Sequence, residues 1–194
     1  MRPVLVIVSG PPGAGKTTLA KRLGHEVGLP VLSRDDIKDA IFDSMGWSDR
    51  QWSVRVGRAS YELMYLFAES LLEAKTSIVL ETNFDRKFSQ SRIEAMRSRT
   101  SFDVLEINCS ADAIVLARRF RDRWNTGGRH PGHTDVFTNE AEFLAALSDR
   151  DFAPATSGDN LVQLDTTDFE RIDWAYVIST VKRAMGERDG SEDG

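Results

Sequence analysis

The stretch SGPPGAGKTTLA, residues 9–20, follows the apolar run Pro3 to Val8 and leads into helix-forming residues. Its spacing, Gly10-x-x-x-x-Gly15-Lys16-Thr17, is the phosphate-cradling loop pattern, met in the strand-then-helix order that the pattern needs as confirmation. Glycines 10, 13 and 15 open backbone conformations closed to residues with a Cβ, so several N–H groups can converge on one anion. The helix opening near Lys16 adds the positive end of its dipole at the same place. Gly10, Gly13, Ala14, Gly15, Lys16, Thr17 and Thr18 are therefore the expected nucleotide-binding set. Lys16 supplies charge for the β- and γ-phosphates, and the Thr17 hydroxyl is placed to ligate Mg²⁺.

Such a loop needs a sheet behind it, and the remaining apolar runs supply one. They fall at Val4 to Val8, Val31 to Ser33, Ser77 to Glu81, Asp103 to Asn108 and Leu161 to Asp165, separated by helical patterns. Strands alternating with helices of this length predict βαβ units. The fold expected is a three-layer α/β/α sandwich of the P-loop type, with five mainly parallel strands and a helical lid. Helices are predicted at Lys16 to Val27, Asp35 to Phe42, Asp49 to Lys75, Asp85 to Arg99, Ala111 to Trp124, Asn139 to Leu147 and Phe169 to Met185. With 194 residues and 41% hydrophobic content, one core is affordable, so residues 1–185 read as one domain and the polar, Gly-rich 186–194 as a disordered tail. The segment Asn125 to Asp135 is long, polar and aperiodic, and reads as part of a mobile lid spanning about residues 117–136.

The totals exclude some partners. A net charge of −5 provides no overall basic field for nucleic acid, which stays possible but not favoured. The single cysteine, Cys109, excludes an internal disulfide framework and suits a reducing compartment. The first apolar run is too short for a membrane span, so a soluble cytoplasmic protein with no membrane partner is expected. Two histidines in Arg129 to His133 invite a zinc reading, but the other soft donors, His25 and Cys109, lie apart in the chain, so no zinc is expected.

Four further elements carry chemistry. Asp35 and Asp36 follow the second predicted strand at the carboxyl edge of the sheet, where α/β ligand sites lie. One of the pair can face the γ-phosphate as a base, and the other can serve only to charge a helix start. Glu81 and Asn83 end a buried strand, as metal-holding and substrate-contacting candidates or as a simple strand terminus. In Ala117 to Trp124, Arg119 and Arg123 share a helix face and are candidates for neutralising a transferring phosphoryl group, with Arg129 a third; a solvated basic face is the alternative.

SGPPGAGKTT, then SRDDI, then LETNF resemble the P-loop kinase group that includes phage-type polynucleotide 5′-hydroxyl kinases, chloramphenicol phosphotransferase and zeta toxins, over roughly Val4 to Asp165. The resemblance implies Asp35 as general base, Arg34 as a neighbour of open role, and Glu81 at the Walker B position. Those polynucleotide kinases carry an arginine three residues after the base, where this chain has Lys38, which keeps the charge and loses the two-pronged grip on phosphate. Members of the group also carry a similar Arg-His-Pro-Gly-His loop, which implies substrate or lid contact for Arg129, His130 and His133. The activity expected is an ATP- and Mg²⁺-dependent kinase moving the γ-phosphoryl to a hydroxyl of a small-molecule or nucleotide-like acceptor. A polynucleotide 5′-hydroxyl kinase, a regulatory NTPase and a toxin-like kinase are the alternatives.

Overall fold

The computed structural model describes residues 2–84, 86–134, 139–149, 152–154, 156 and 160–186. Five strands, β1 (Val4–Ser9), β2 (Val31–Ser33), β3 (Ile78–Glu81), β4 (Asp103–Ser110) and β5 (Leu161–Asp165), form one sheet in the order β2-β3-β1-β4-β5. Every pairing is parallel. Around it run α1 (Lys16–Val27), α2 (Arg34–Met45), α3 (Arg50–Glu73), α4 (Arg86–Arg97), α5 (Ala113–Asn125), α6 (Glu140–Ser148) and α7 (Trp174–Ala184). The arrangement is the expected α/β/α sandwich of the P-loop type.

All six residues of β1 are buried, because alternate side chains serve two cores. Val4, Val6 and Val8 join Leu19 and Leu23 of α1, Leu116 and Phe120 of α5, Phe143 of α6 and Val177 and Val181 of α7 on one face. Leu5 and Ile7 join Met64, Ala68 and Leu72 of α3 and Ile93 and Met96 of α4 on the other. Truncating a fully buried residue such as Ile7 or Leu5 to alanine costs about 2–5 kcal/mol at sites of this kind.

Helix starts follow cap chemistry. Ser33, Asp49, Asn139 and Asp173 each accept a backbone N–H in the first turn of α2, α3, α6 and α7. The helix predicted from Phe169 to Met185 is in fact two pieces, a 3₁₀ turn at Phe169–Arg171 and then α7. Ile172 is extended, and the Asp173 carboxylate restarts the helix by accepting from Tyr176 N–H at 2.9 Å. The predicted tail beyond residue 186, and residues 135 and 136 of the predicted lid, lie outside the described residues. No helix among the described residues is long and apolar enough to cross a membrane.

Candidate active site

The loop between β1 and α1 has the backbone that its glycines predict. Gly10, Gly13 and Gly15 sit at φ 130°, 85° and 73°. A Cβ on Gly10 would lie 2.2 Å from the Cys109 carbonyl oxygen, and one on Gly13 would lie 2.6 Å from that of Leu116. The cradle is thus pressed against β4 and α5, and its shape leaves no room for larger residues. Thr166, fully buried after β5, places its hydroxyl 2.9 Å from the Ala14 carbonyl and 2.8 Å from that of Ser110, tying the loop to the last two strands. Lys16, Thr17 and Thr18 form the first turn of α1, whose open N–H groups face the cradle.

Lys16 is buried and its ammonium donates to the Pro11 carbonyl at 2.8 Å. Burial pulls its pKa below the ordinary lysine value, opposed by the nearby Glu81 and Asp35 carboxylates. Glu81, at the end of β3 and paired in register with Val8 of β1, is also buried. Burial pushes its carboxyl above the ordinary value, opposed by the Lys16 charge and by hydrogen bonds from Ser33 and Thr17. Ser33 donates to Glu81 Oε2 at 2.6 Å while its oxygen also caps α2. Cys109 lies nearby with its thiol pushed up to about 12 by burial, which makes it inert as a nucleophile.

Asp36 and Asp35 separate cleanly. Asp36 is half-exposed and pairs with Lys21 of α1 at 3.1 Å, away from the cradle. Asp35 turns inward, where its Oδ1 accepts from Arg34 at 2.9 Å and its Oδ2 meets Arg129 at 3.5 Å. Burial alone would raise its pKa, but Arg34, Arg129, His133 and Arg123 outweigh that and hold the carboxyl well below the usual range. Arg34 in turn lies over the Tyr61 ring, whose hydroxyl meets Thr82 Oγ1 at 3.1 Å. Lys38 is buried one turn further along α2, with its ammonium 3.0 Å from Ser53 Oγ on α3. Asn83 is half-buried two residues past Glu81.

The two helix arginines divide. Arg119, expected to meet the phosphoryl group, is turned toward the segment past β5. Its guanidinium donates to the Thr166 and Thr167 carbonyls at 2.9 and 3.0 Å and lies over the Phe169 ring. That ring in turn fills the space 2.3 Å from where a Gly15 Cβ would stand. Arg119 therefore builds the β5 wall of the cradle. Arg123, one turn on, bonds the Gly128 carbonyl at 3.2 Å, and its charge reaches both Lys16 and Asp35. Arg129 is buried against Asp35 and over Phe120. His130 and His133 lie on α2, through Asp43 at 3.2 Å and Asp39 at 2.7 Å.

Sequence reasoning missed several contributors. Asp39 and Asp43 repeat the four-residue spacing from Asp35, which a helix places on one face, so that signal was available. Gly57 was another available signal, a glycine deep in a long helix, where it costs about 1 kcal/mol against alanine. A Cβ there would lie 2.7 Å from the Arg34 guanidinium. Thr166 and Phe169 carry no pattern of their own.

The oxygen donors Thr17 and Glu81, bonded to each other beside a cradle of N–H groups, suit a hard cation held with a phosphate chain. Among the described residues, no group of three or more His, Cys, Asp and Glu could hold a metal ion unaided.

Known structures share this fold. A crystal structure from Chloroflexus aurantiacus described as a candidate kinase is 36% identical, covers 95% of this chain and 99% of its own, and superposes with a TM-score of 0.89. A gluconokinase from Sinorhizobium meliloti (14% identical, TM-score 0.54, 95% of this chain and 93% of its own) and a shikimate kinase from Bacteroides thetaiotaomicron (17%, 0.55, 94% and 97%) share the fold. An uncharacterized protein of Mycobacterium tuberculosis is 29% identical over 75% of this chain, which spans only 29% of that relative's length. Residues 5–147 match the family model described as an AAA domain, so the chain belongs to that family, as a P-loop, kinase-like member whose structural neighbours are kinases.

Proposed function

We propose that the protein is a phosphotransferase that moves the γ-phosphoryl group of ATP to a hydroxyl of a small-molecule or nucleotide-like acceptor, within the kinase group that its Arg-Asp-Asp element resembles. The observation that carries this reading is the inward turn of Asp35. A carboxylate stands across from the phosphate cradle, within electrostatic reach of Lys16 and Glu81, at the carboxyl edge of the sheet. A protein that only hydrolysed nucleotide would need a positioned water there and no base beside an acceptor cleft.

In this scheme the loop N–H groups and Lys16 hold the donor phosphates, while Thr17 and Glu81 would hold Mg²⁺, which when bound neutralises phosphate charge. Asp35 accepts the hydroxyl proton as the acceptor oxygen bonds the terminal phosphorus and the bond to the nucleoside diphosphate breaks. Arg123 and Arg129 stand beside that transfer and offset the charge on the phosphoryl oxygens. Arg119 shapes the wall of the cradle beside Gly15, through Phe169. Arg34, Lys38 and Asn83 border the acceptor side. The buried, unreactive thiol suits a reducing, cytoplasmic setting.

The test is a screen of hydroxyl compounds and 5′-hydroxyl oligonucleotides for acceptor-stimulated ADP release. Stimulation by a small hydroxyl compound supports the reading, and stimulation by oligonucleotides alone moves it to the polynucleotide kinases. ADP release indifferent to every acceptor would identify a regulatory NTPase instead.

A further inference from the structure

Helix α2 carries three carboxylates at four-residue spacing, Asp35, Asp39 and Asp43, and each meets a side chain of the segment Arg129 to His133. Arg129 meets Asp35 at 3.5 Å, His133 Nε2 meets Asp39 at 2.7 Å, and His130 Nε2 meets Asp43 at 3.2 Å. The stripe spans eight residues, about 12 Å of helix. Asp43 stands in the last turn of α2, where the helix dipole disfavours a carboxylate, so its partner histidine offsets a local cost.

Packing fixes the register of this contact. Pro131 and Gly132 form the middle of a turn closed by His133 N–H on the His130 carbonyl at 3.1 Å. The fully buried Phe42 ring lies beneath, stacked on His130 at 5.2 Å and edge-on to His133 at 5.8 Å. A Cβ on Gly132 would come 2.6 Å from that ring, so glycine is required here by contact and not by backbone angle. Trp47 closes the outer side of His130 at 4.9 Å.

Both histidines meet α2 through Nε2. His130 Nδ1 accepts from Gly132 N–H at 3.0 Å, which places the proton on Nε2 for donation to Asp43. Phe42 stacks on its ring and Trp47 meets it edge-on. His133 is 1% exposed.

We infer that the Arg129 to His133 segment is a register device in which His133 on Asp39 and His130 on Asp43 set the Arg129 guanidinium on Asp35, making the two histidines positioning residues for phosphoryl transfer and not acceptor ligands. The inference rests on the kinase reading with Asp35 as base. Its consequence is chemical. Arg34 covers Oδ1 of Asp35 at 2.9 Å, and Arg129 stands at the longer 3.5 Å from Oδ2. Oδ2 is therefore the oxygen an acceptor hydroxyl can claim, and Arg129 is the group it displaces toward the transferring phosphoryl.

The experiment compares the wild type with His133→Ala, His133→Gln, Asp39→Asn and Asp35→Asn, using the acceptor found in the screen. His133→Ala and Asp39→Asn are expected to lower kcat about 10- to 100-fold, the scale of a misplaced catalytic group, with the acceptor KM held within about twofold. His133→Gln, which restores an N–H near the Nε2 position, recovers most of the loss.

A second readout needs no acceptor, namely the carboxyl titration of Asp35 followed by NMR in the nucleotide-free protein. The charges facing Asp35 are Arg34, Arg129, His133 and Arg123, with Lys16 and Glu81 across the cleft. Asp39→Asn removes an anion one turn from Asp35, which alone lowers the Asp35 midpoint, whereas loss of the Arg129 cation raises it, so a rise in this variant reports a displaced Arg129. A raised acceptor KM with unchanged kcat would make the histidines ligands and overturn the inference, as would an Asp35 midpoint that stays put or falls. Wild-type transfer by Asp35→Asn would remove the base, and this inference with it; an intact Asp35→Asn defect beside unaffected His133 and Asp39 variants sinks the inference alone. Should the His133 variants fail to fold, Asp43→Asn at the exposed end of the stripe gives the same contrast in weaker form.

Discussion

Under the proposed function, the donor and acceptor halves of the site are built from different materials. On the donor side, one contiguous stretch of eight residues makes the cradle from backbone groups, and Lys16 and Thr17 are its only working side chains. On the acceptor side, Arg34, Asp35, Lys38 and Arg129 come from two distant segments, which side-chain contacts hold together. A backbone cradle is fixed once its glycines are in place. A side-chain constellation depends on each ion pair, so damage there should alter rate before it alters binding or stability.

Asp35→Asn gives the largest expected effect, a loss of phosphoryl transfer of about 10²–10⁴-fold, the range of general-base catalysis, with nucleotide affinity near wild type. Isothermal titration with a non-hydrolysable nucleotide alongside a transfer assay checks both halves, and a matching loss of affinity would erase the distinction between them. Lys16→Ala should follow at about 10²–10³-fold, and here nucleotide affinity falls as well, because this side chain serves the donor side.

Gly10→Ala tests whether the cradle is really rigid. A positive φ and a carbonyl 2.2 Å from the new Cβ should cost about 1–3 kcal/mol or more of stability, measured by urea unfolding, with nucleotide binding lost in parallel. Arg119→Ala sharpens the comparison further. If this arginine builds the cradle wall, the variant should weaken nucleotide affinity about tenfold, roughly 1.4 kcal/mol, with kcat at saturation nearly unchanged. A fall in kcat alone would return it to the phosphoryl group.

The smallest effect is on acid stability. Arginines hold the Asp35 carboxyl below its unfolded value, so its ionised form stabilises the native state above about pH 4 and that contribution fades as pH falls further. Thermal melts of Asp35→Asn should sit below wild type at neutral pH and converge with it in acid.

The cradle, the five strands and most helices were legible because each is local. A glycine spacing, an apolar run or a helical period contains its own explanation. The inward face of Asp35 needed more, since only the Lys21 contact shows why Asp36 turns away. The contacts of Arg119 were out of reach for a related reason. Four-residue spacing correctly put Arg119 and Arg123 on one face of α5, yet the partners waiting there were two carbonyls past β5, more than forty residues on. The Phe169 helix was drawn too long because its apolar period runs through Ile172, where the Asp173 carboxylate restarts the chain. Nothing short of the fold could reveal that Gly132 yields to a phenylalanine ring ninety positions earlier, although the Asp35, Asp39, Asp43 repeat offered a hint.

The Thr166 hydroxyl, which touches carbonyls of both Ala14 and Ser110, has a bearing on biosynthesis. Residues at the start of the chain must wait for a latch that emerges from the ribosome some 150 residues later. A nascent chain stalled ahead of β5 should therefore carry every glycine of the cradle and still fail to retain nucleotide, and capture of stalled chains on an ATP resin would show retention appearing only once that latch has been translated.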